Sequence, residues 1–441
     1  MNVVIKVNRV ELFLFAIIFF TLLNGFFNSL AVSYGFNEYS ISSFLFDSRD
    51  LHADLIKFSL SFIQHENIQN ISEWPTLYQE YFYNNPYGGL ESIKSGILTN
   101  MHLPPLAVNF SIACAKILKY FGPNFLLILF YCFVILSIFL LSRLLENQKK
   151  SILFFIIMMF SYPVLFILTR GHIFSFIVSI LTIFFFLNII QRKNILLPIL
   201  LLAIICNFRP NALILSILFL VYGYKEGSKG LILFFFLSVS IFYLNLILAH
   251  QLYNDYTFDN FITAVGIYYE LYVIGNGGLL FNNSLYGALK IVILALSKLG
   301  SFDLNTAFVY ANYISLVINI ILLTLSTYLY IKQKSLNIFE FIFIVATVYV
   351  LSSSIFVSYY LFFFFFFLLI PFKYPNINYS NKFLNIILFT SVFVLVPKNY
   401  FHVHSISFEV VLNPLIMTLA ILYILIKSFL NNTNLNNNSV N

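Results

Sequence analysis

Apolar runs of membrane-crossing length follow one another along this chain with few breaks, and no other feature narrows its possible folds so far. A transmembrane helix needs roughly 17–25 apolar residues. Candidate spans fall at approximately 10–33, 124–144, 151–168, 173–190, 194–207, 211–224, 230–249, 307–331, 336–353, 355–372, 383–397 and 410–428. That makes twelve, of which 194–207 and 211–224 are short. Over the 441 residues, 60% are hydrophobic and only 9% charged, against roughly 45–50% and 25% in a soluble domain. A cytosolic enzyme, a secreted disulfide scaffold and a disordered chain are all excluded, and the solvent is a bilayer. Cys114, Cys132 and Cys206 are too far apart for a metal or redox motif. The first run begins too late and extends too far for a cleaved signal peptide, so it reads as a signal anchor.

Net charge is +7, but the basic residues lie in short clusters between apolar runs, which is a topology signal and not a nucleic-acid patch. With Lys6 and Arg9 inside, the cytoplasmic clusters are Arg143/Lys149/Lys150, Arg192/Lys193, Lys225/Lys229, Lys332/Lys334, Lys373/Lys382 and Lys427. This places 14 basic and 4 acidic residues inside, and 10 basic and 13 acidic residues outside. Both termini then face the cytoplasm of a bacterial inner membrane. Residues 105–121 and 284–299 would invert everything downstream if they crossed. Each carries two Lys at helical spacing, and they read as amphipathic helices in the outer interface.

The outer face therefore collects the polar chemistry. It comprises two long loops at about 34–123 and 250–306, the short turns at Thr169–His172 and Asn207–Pro210, the stretch Ser352–Tyr360, and Lys398–His404. All seven His lie on this side. Long loops of this kind are uncommon unless functional. Asp47, Asp50 and Asp54 are spaced by 3 and 4 residues, so in a helix they share a face. A carboxylate just above the membrane suits a general base that takes a proton from a hydroxyl. Arg170 and Arg209 each end a predicted helix on the same face, where an Arg either snorkels to headgroups or grips a phosphate with its fork. His172 can serve as a hydrogen-bond partner beside them. Asp255, Asp259 and Glu270 are a weak candidate for a divalent cation, and otherwise no cofactor is expected.

With these residues in view, the chain resembles the GT-C glycosyltransferases that use polyprenyl-phosphate sugars. Within them it is similar to the bacterial polyprenol-phosphate-mannose-dependent mannosyltransferases (glycosyltransferase family 87). The features that carry the resemblance run from about residue 45 to 370. They are the outer acidic loop with DLIKF from Asp54, the Pro104-Pro105 pair opening HLPPLAVNFSIACAKILKYFG, Gly171-His172, Arg209-Pro210, FNNSLYGAL at Asn282–Leu289 and SSSIFVSYYLFF. The family has Gln in the place of His172, Lys in the place of Arg209, and Trp or His in the late motif.

The resemblance implies an all-α, GT-C-like fold of about twelve spans in a single integral-membrane domain. It also implies inverting transfer of a mannose-like hexose from a polyprenyl-phosphate sugar to a hydroxyl of a lipid-linked or cell-envelope glycan. Asp54, backed by Asp50 or Asp47, would be the base, and Arg170, Arg209 and Lys398 would receive the leaving phosphate. His172, Asn207, Asn283, Ser284, Tyr286 and Tyr360 would line the substrate, and the aromatics of 74–87 and 256–272 could stack on sugar rings. A transporter or flippase, a polymerase of lipid-linked oligosaccharide and a non-catalytic scaffold remain open. There is no half-to-half repeat and almost no charge at span centres, which weighs against an ion-coupled carrier. The Phe run around 363–367 reads as lipid- or groove-facing bulk, and the Asn-rich tail at 431–441 as disordered.

Overall fold

A computed structural model of the chain describes residues 11–12, 14–26, 52–60, 102–254, 256–274, 282–299, 303–374, 381–398, 402–403 and 406–438. In these residues the protein is all-helical apart from a hairpin that pairs His402–Val403 with Ile406–Ser407. In chain order the helices are α1 (Leu14–Phe26), α2 (Ala53–Leu60), α3 (Pro105–Ser142), α4 (Gln148–Met159), α5 (Tyr162–Arg170), α6 (Ile173–Gln191), α7 (Leu196–Phe208), α8 (Pro210–Tyr222) and α9 (Tyr224–Leu252). They continue as α10 (Phe258–Tyr268), α11 (Leu285–Leu296), α12 (Leu304–Ile331), α13 (Ile338–Ser352), α14 (Ser358–Lys373), α15 (Asn381–Leu395) and α16 (Glu409–Asn438).

Among the described residues, five helices are long and apolar enough to cross a bilayer: α3, α6, α9, α12 and the Glu409–Leu430 part of α16. The expected span at 151–168 is instead a bent pair, α4 and α5, meeting at 53°, and it raises the number to six. Pro163 sits in the first turn of α5, where the missing N–H costs nothing but the upstream helix cannot continue through it. The remaining apolar runs form helices shorter than 18 residues. The boundary drawn between 105–121 and 124–144 is present as a break inside α3. Gly122 takes φ +80 there, a left-handed conformation that glycine adopts without strain.

Two short elements show how a short run fits a bilayer. Helix α8 is a 13-residue 3₁₀ helix whose Ala212, Leu215, Leu218 and Val221 are all buried, a stripe with the period of three that this geometry requires. At about 2.0 Å per residue it reaches roughly 26 Å. Its partner α7, with 13 residues, reaches only about 20 Å at the α-helical rise. The hydrocarbon layer is about 30 Å thick. The turn between them, at Arg209, joins two elements that are each shorter than that layer.

The core sits around α13, which is buried on every side from Phe339 to Leu351, as expected of a helix apolar all round. The Phe run is core as well, not lipid-facing bulk: Phe362–Phe367 are at most 1% exposed. Their rings meet Phe154, Phe176, Phe186, Phe339 and Phe343. By contrast, α9 buries only four residues along its length and leaves Phe235, Phe236, Leu244 and Ile247 exposed. The tail expected to be disordered continues α16 as helix to Asn438, since extending an anchored helix avoids the cost of nucleation.

The loops sorted by charge to one side do meet at one end. Arg192 donates to the Tyr330 hydroxyl at 3.0 Å, Gln191 to Tyr374 at 3.0 Å, and Lys373 to the Leu144 carbonyl at 3.3 Å. The opposite end gathers the chemistry described next.

Candidate functional site

The site begins with a close approach. Helix α5 ends at Gly171, whose φ of +71 forms a left-handed cap with its N–H on the Ile167 carbonyl at 2.8 Å. A side-chain carbon on Gly171 would stand 2.7 Å from the Leu55 Cβ, so the absent side chain is what admits α2. His52 also turns through the left-handed region, with φ 57, and its N–H bonds the Thr169 carbonyl. Its ring reaches the Tyr131 hydroxyl on α3.

This docking delivers Asp54 onto Arg170. The guanidinium grips both carboxylate oxygens, Nε to Oδ2 at 3.0 Å and Nη2 to Oδ1 at 2.8 Å. The side chains are 11% and 19% exposed respectively. A bidentate, largely desolvated pair of this kind fixes both groups. Arg170 therefore presents two of its donors to Asp54 and not to a phosphate. Asp47 and Asp50, the expected companions of Asp54, lie outside the described residues, as do Asp255, Trp74 and the aromatics of 74–87.

His172 caps α6, its Nδ1 accepting the Ser175 N–H at 3.2 Å while the Ser175 hydroxyl donates to the His172 carbonyl at 2.7 Å. With Nδ1 accepting, the ring proton belongs on Nε2. The ring stacks on Tyr359 at 4.3 Å between centroids and meets Tyr360 edge-on at 5.7 Å. Burial holds His172 down to about 4, with the Asp54 charge opposing and the Arg170 and Arg209 charges adding to the shift. Burial likewise holds His52 down to about 4. Both rings are neutral at pH 7. His172 thus lies within electrostatic reach of Asp54, Arg170 and Arg209 at once.

Arg209 has different surroundings. Its guanidinium lies over the Tyr360 ring at 3.8 Å and the Phe356 ring at 4.4 Å, and Nη2 donates to the Ile355 carbonyl at 2.7 Å. Its Nε is buried without a hydrogen-bond partner among the described residues. No carboxylate pairs with it among the described residues. A cation held by aromatic faces keeps its charge available to an anion.

The other expected residues serve the frame. Asn282 accepts from Phe356 N–H at 2.8 Å and donates to the Ser354 carbonyl at 3.0 Å, and Asn283 donates to the Phe356 carbonyl and the Ser358 hydroxyl. Ser284 caps α11. The Asn-Asn-Ser motif therefore clamps the non-helical segment that leads into Tyr359 and Tyr360. From α16, Glu409 accepts the Ser358 hydroxyl and Asn413 donates to Asn283. The Tyr286 hydroxyl bonds the Val273 carbonyl, and Asn207 donates to the carbonyls of Ala203 and Ser238. Lys398 points its ammonium at the carbonyls of Phe393 and Val396 rather than into the site. Burial draws its pKa below the ordinary lysine value, with Glu409 opposing. Lys290, one of the two Lys of the segment expected to lie as an amphipathic interfacial helix, is 1% exposed and donates to the carbonyls of Val273 and Ile274.

The structure thus brings Asp54, Arg170, His172, Tyr360 and Arg209 together, and adds Phe356 and Tyr359 from the SSSIFVSYYLFF segment as well as Tyr131 and His52, which lie in none of the motifs. Among the described residues no three His, Cys, Asp or Glu are grouped to hold a metal ion. Comparison with known proteins finds no family model, curated protein or solved structure that matches the chain.

Proposed function

We propose that the protein is a membrane glycosyltransferase that takes a hexose from a polyprenyl-phosphate sugar at this end of the helix bundle. The observation that carries the reading is the position of Arg209. It is a buried guanidinium without a carboxylate partner among the described residues, at the turn between two apolar elements of about 20 and 26 Å, both shorter than a hydrocarbon layer of about 30 Å. If both elements start at one face of the bilayer, the turn falls inside it, and an anion that reaches it arrives on a lipid. A soluble nucleotide sugar would have to leave water for the same contact.

In the proposed reaction an acceptor hydroxyl attacks the anomeric carbon from the face opposite the phosphate. The new C–O bond forms as the bond from anomeric carbon to phosphate oxygen breaks. That oxygen departs with the electron pair, against Arg209, and the hydroxyl proton passes to the Asp54 carboxylate, so the configuration inverts. Arg170 orients Asp54 through two hydrogen bonds, and a carboxylate held in this way takes the proton as the hydroxyl becomes acidic on bonding to carbon. The neutral His172 holds Tyr359 and Tyr360 in register beside Arg209. The acceptor in this reading is a lipid-linked or envelope glycan, and no nucleic acid or metal takes part.

The reading is tested by titrating polyprenyl monophosphate into the protein in nanodiscs. Arg209→Ala is expected to weaken binding at least tenfold. Arg209→Lys restores it only in part, because a point charge replaces a fork. Equal binding by wild type and Arg209→Ala overturns the reading.

A further inference from the structure

A fully buried phenol stands close to Arg209. Tyr349 lies near the end of α13, 0% exposed, and its hydroxyl makes no hydrogen bond among the described residues. Its ring meets the Phe356 ring edge-on at 5.2 Å, and Phe356 is one of the two rings that hold the Arg209 guanidinium. Tyr349 lies within electrostatic reach of Arg209, as Tyr360 does. The Arg209 Nε–H is itself buried and has no hydrogen-bond partner among the described residues. Two side chains that each carry such a donor, one neutral and one charged, therefore meet a single ring.

Buried donors are almost always paired, and an unpaired one costs the protein its lost hydration. A Phe at position 349 would fill the same space without that cost. Two such donors within electrostatic reach of each other are complementary to one group, an oxyanion with oxygens free to accept from both. We propose that the Tyr349 hydroxyl and the Arg209 Nε–H together bind a phosphate oxygen, making Tyr349 a ligand-binding residue within the core helix. This rests on the reading of Arg209 as a phosphate anchor and adds a donor that the sequence does not distinguish from 28 other tyrosines. A phenol also discriminates as a charge alone does not, since its single O–H requires an acceptor in one direction.

The test is Tyr349→Phe, which removes one oxygen and no packing. Binding is measured in nanodiscs with two probes, polyprenyl monophosphate in the bilayer and inorganic phosphate in solution, and equilibrium unfolding is followed without either. The variant is expected to bind polyprenyl monophosphate about tenfold more weakly, while its stability without ligand equals or exceeds that of wild type. Weakening for the lipid probe alone identifies a lipid phosphate as the source. Equal weakening for both probes supports the oxyanion site and identifies free phosphate as a sufficient ligand. Unchanged binding of both probes overturns the proposal, as does a loss of stability without ligand, which would mean that a water already satisfies the hydroxyl. Arg209→Ala separates the two claims. If it binds as wild type does, the phosphate anchor itself is wrong. If it binds weakly while Tyr349→Phe does not, only the role of Tyr349 is lost.

Discussion

Neutralising Asp54 and Arg170 one at a time and together measures the contact that organises the site. Two hydrogen bonds of 3.0 and 2.8 Å join the pair, and side-chain exposures of 11% and 19% put it nearer the buried than the surface case. Exposed pairs couple by about 0.2–1 kcal/mol, and breaking a buried pair costs about 3–5 kcal/mol, because the remaining charge is stranded. Asp54→Asn or Arg170→Gln alone should therefore cost about 2–3 kcal/mol, between those two cases. The double variant should cost less than the sum of the two, with a coupling of about 2 kcal/mol. Equilibrium unfolding from mixed micelles, titrated with a denaturing detergent, reads each corner of the cycle. Distant sites are additive to within about 0.3–0.5 kcal/mol. A coupling inside that band would mean that α2 does not dock on α5 as described, and the assignment of Asp54 to this site would fall with it.

Three further outcomes follow from the same geometry. Gly171→Ala places a carbon 2.7 Å from the Leu55 Cβ at a φ of +71, so it should lower stability by at least about 1–2 kcal/mol and reduce the Asp54–Arg170 coupling in the same cycle. His52 is held down to about 4 from an ordinary 6.5 by burial, so between those values the unfolded chain binds more protons than the folded one. Stability should therefore rise with pH from 4 to 6.5 and be lost on acidification through that window; His52→Asn, which tolerates the left-handed turn, should flatten the slope of the unfolding midpoint against pH. Ser358→Ala removes the hydroxyl that Glu409 accepts and leaves a buried carboxylate short of a donor. It should destabilise by about 1–3 kcal/mol, and Glu409→Gln, which still accepts the Ser358 hydroxyl, should cost less than Glu409→Ala.

That the chain is built of apolar helices, several of them long enough to cross a membrane, was legible because apolar length is summed over many residues. The loops assigned to a common side by charge meet in the bundle, as the Arg192–Tyr330 and Lys373–Leu144 contacts show. Span lengths were less legible. Nothing in ALILSILFLV distinguishes a 3₁₀ helix from a short α-helix except the period-three stripe from Ala212 to Val221, which is brief against the background of apolar neighbours. At the site, Asp54, Arg170, His172 and Arg209 stood out because charge and imidazole are scarce in this chain. Their pairing did not, since Asp54 and Arg170 are 116 residues apart and meet only because Gly171 admits α2. Lys290 and Lys398 misled for the opposite reason. A lysine beside an apolar run reads as facing water, yet both end their stems on backbone carbonyls left open by neighbouring turns. Tyr349 was invisible, being one tyrosine inside the apolar run of a buried helix, and Tyr359 stood in a quoted segment without being distinguished from its neighbours.

The central claim is that this end of the protein transfers a sugar from a lipid phosphate. Its most direct test supplies radiolabelled polyprenyl-phosphate hexose to proteoliposomes of the purified protein, with envelope glycolipids as acceptors. The account predicts that label passes to the acceptor with matching release of polyprenyl phosphate, and that Arg209→Ala loses both. Movement of intact donor across the bilayer without release of polyprenyl phosphate would contradict it.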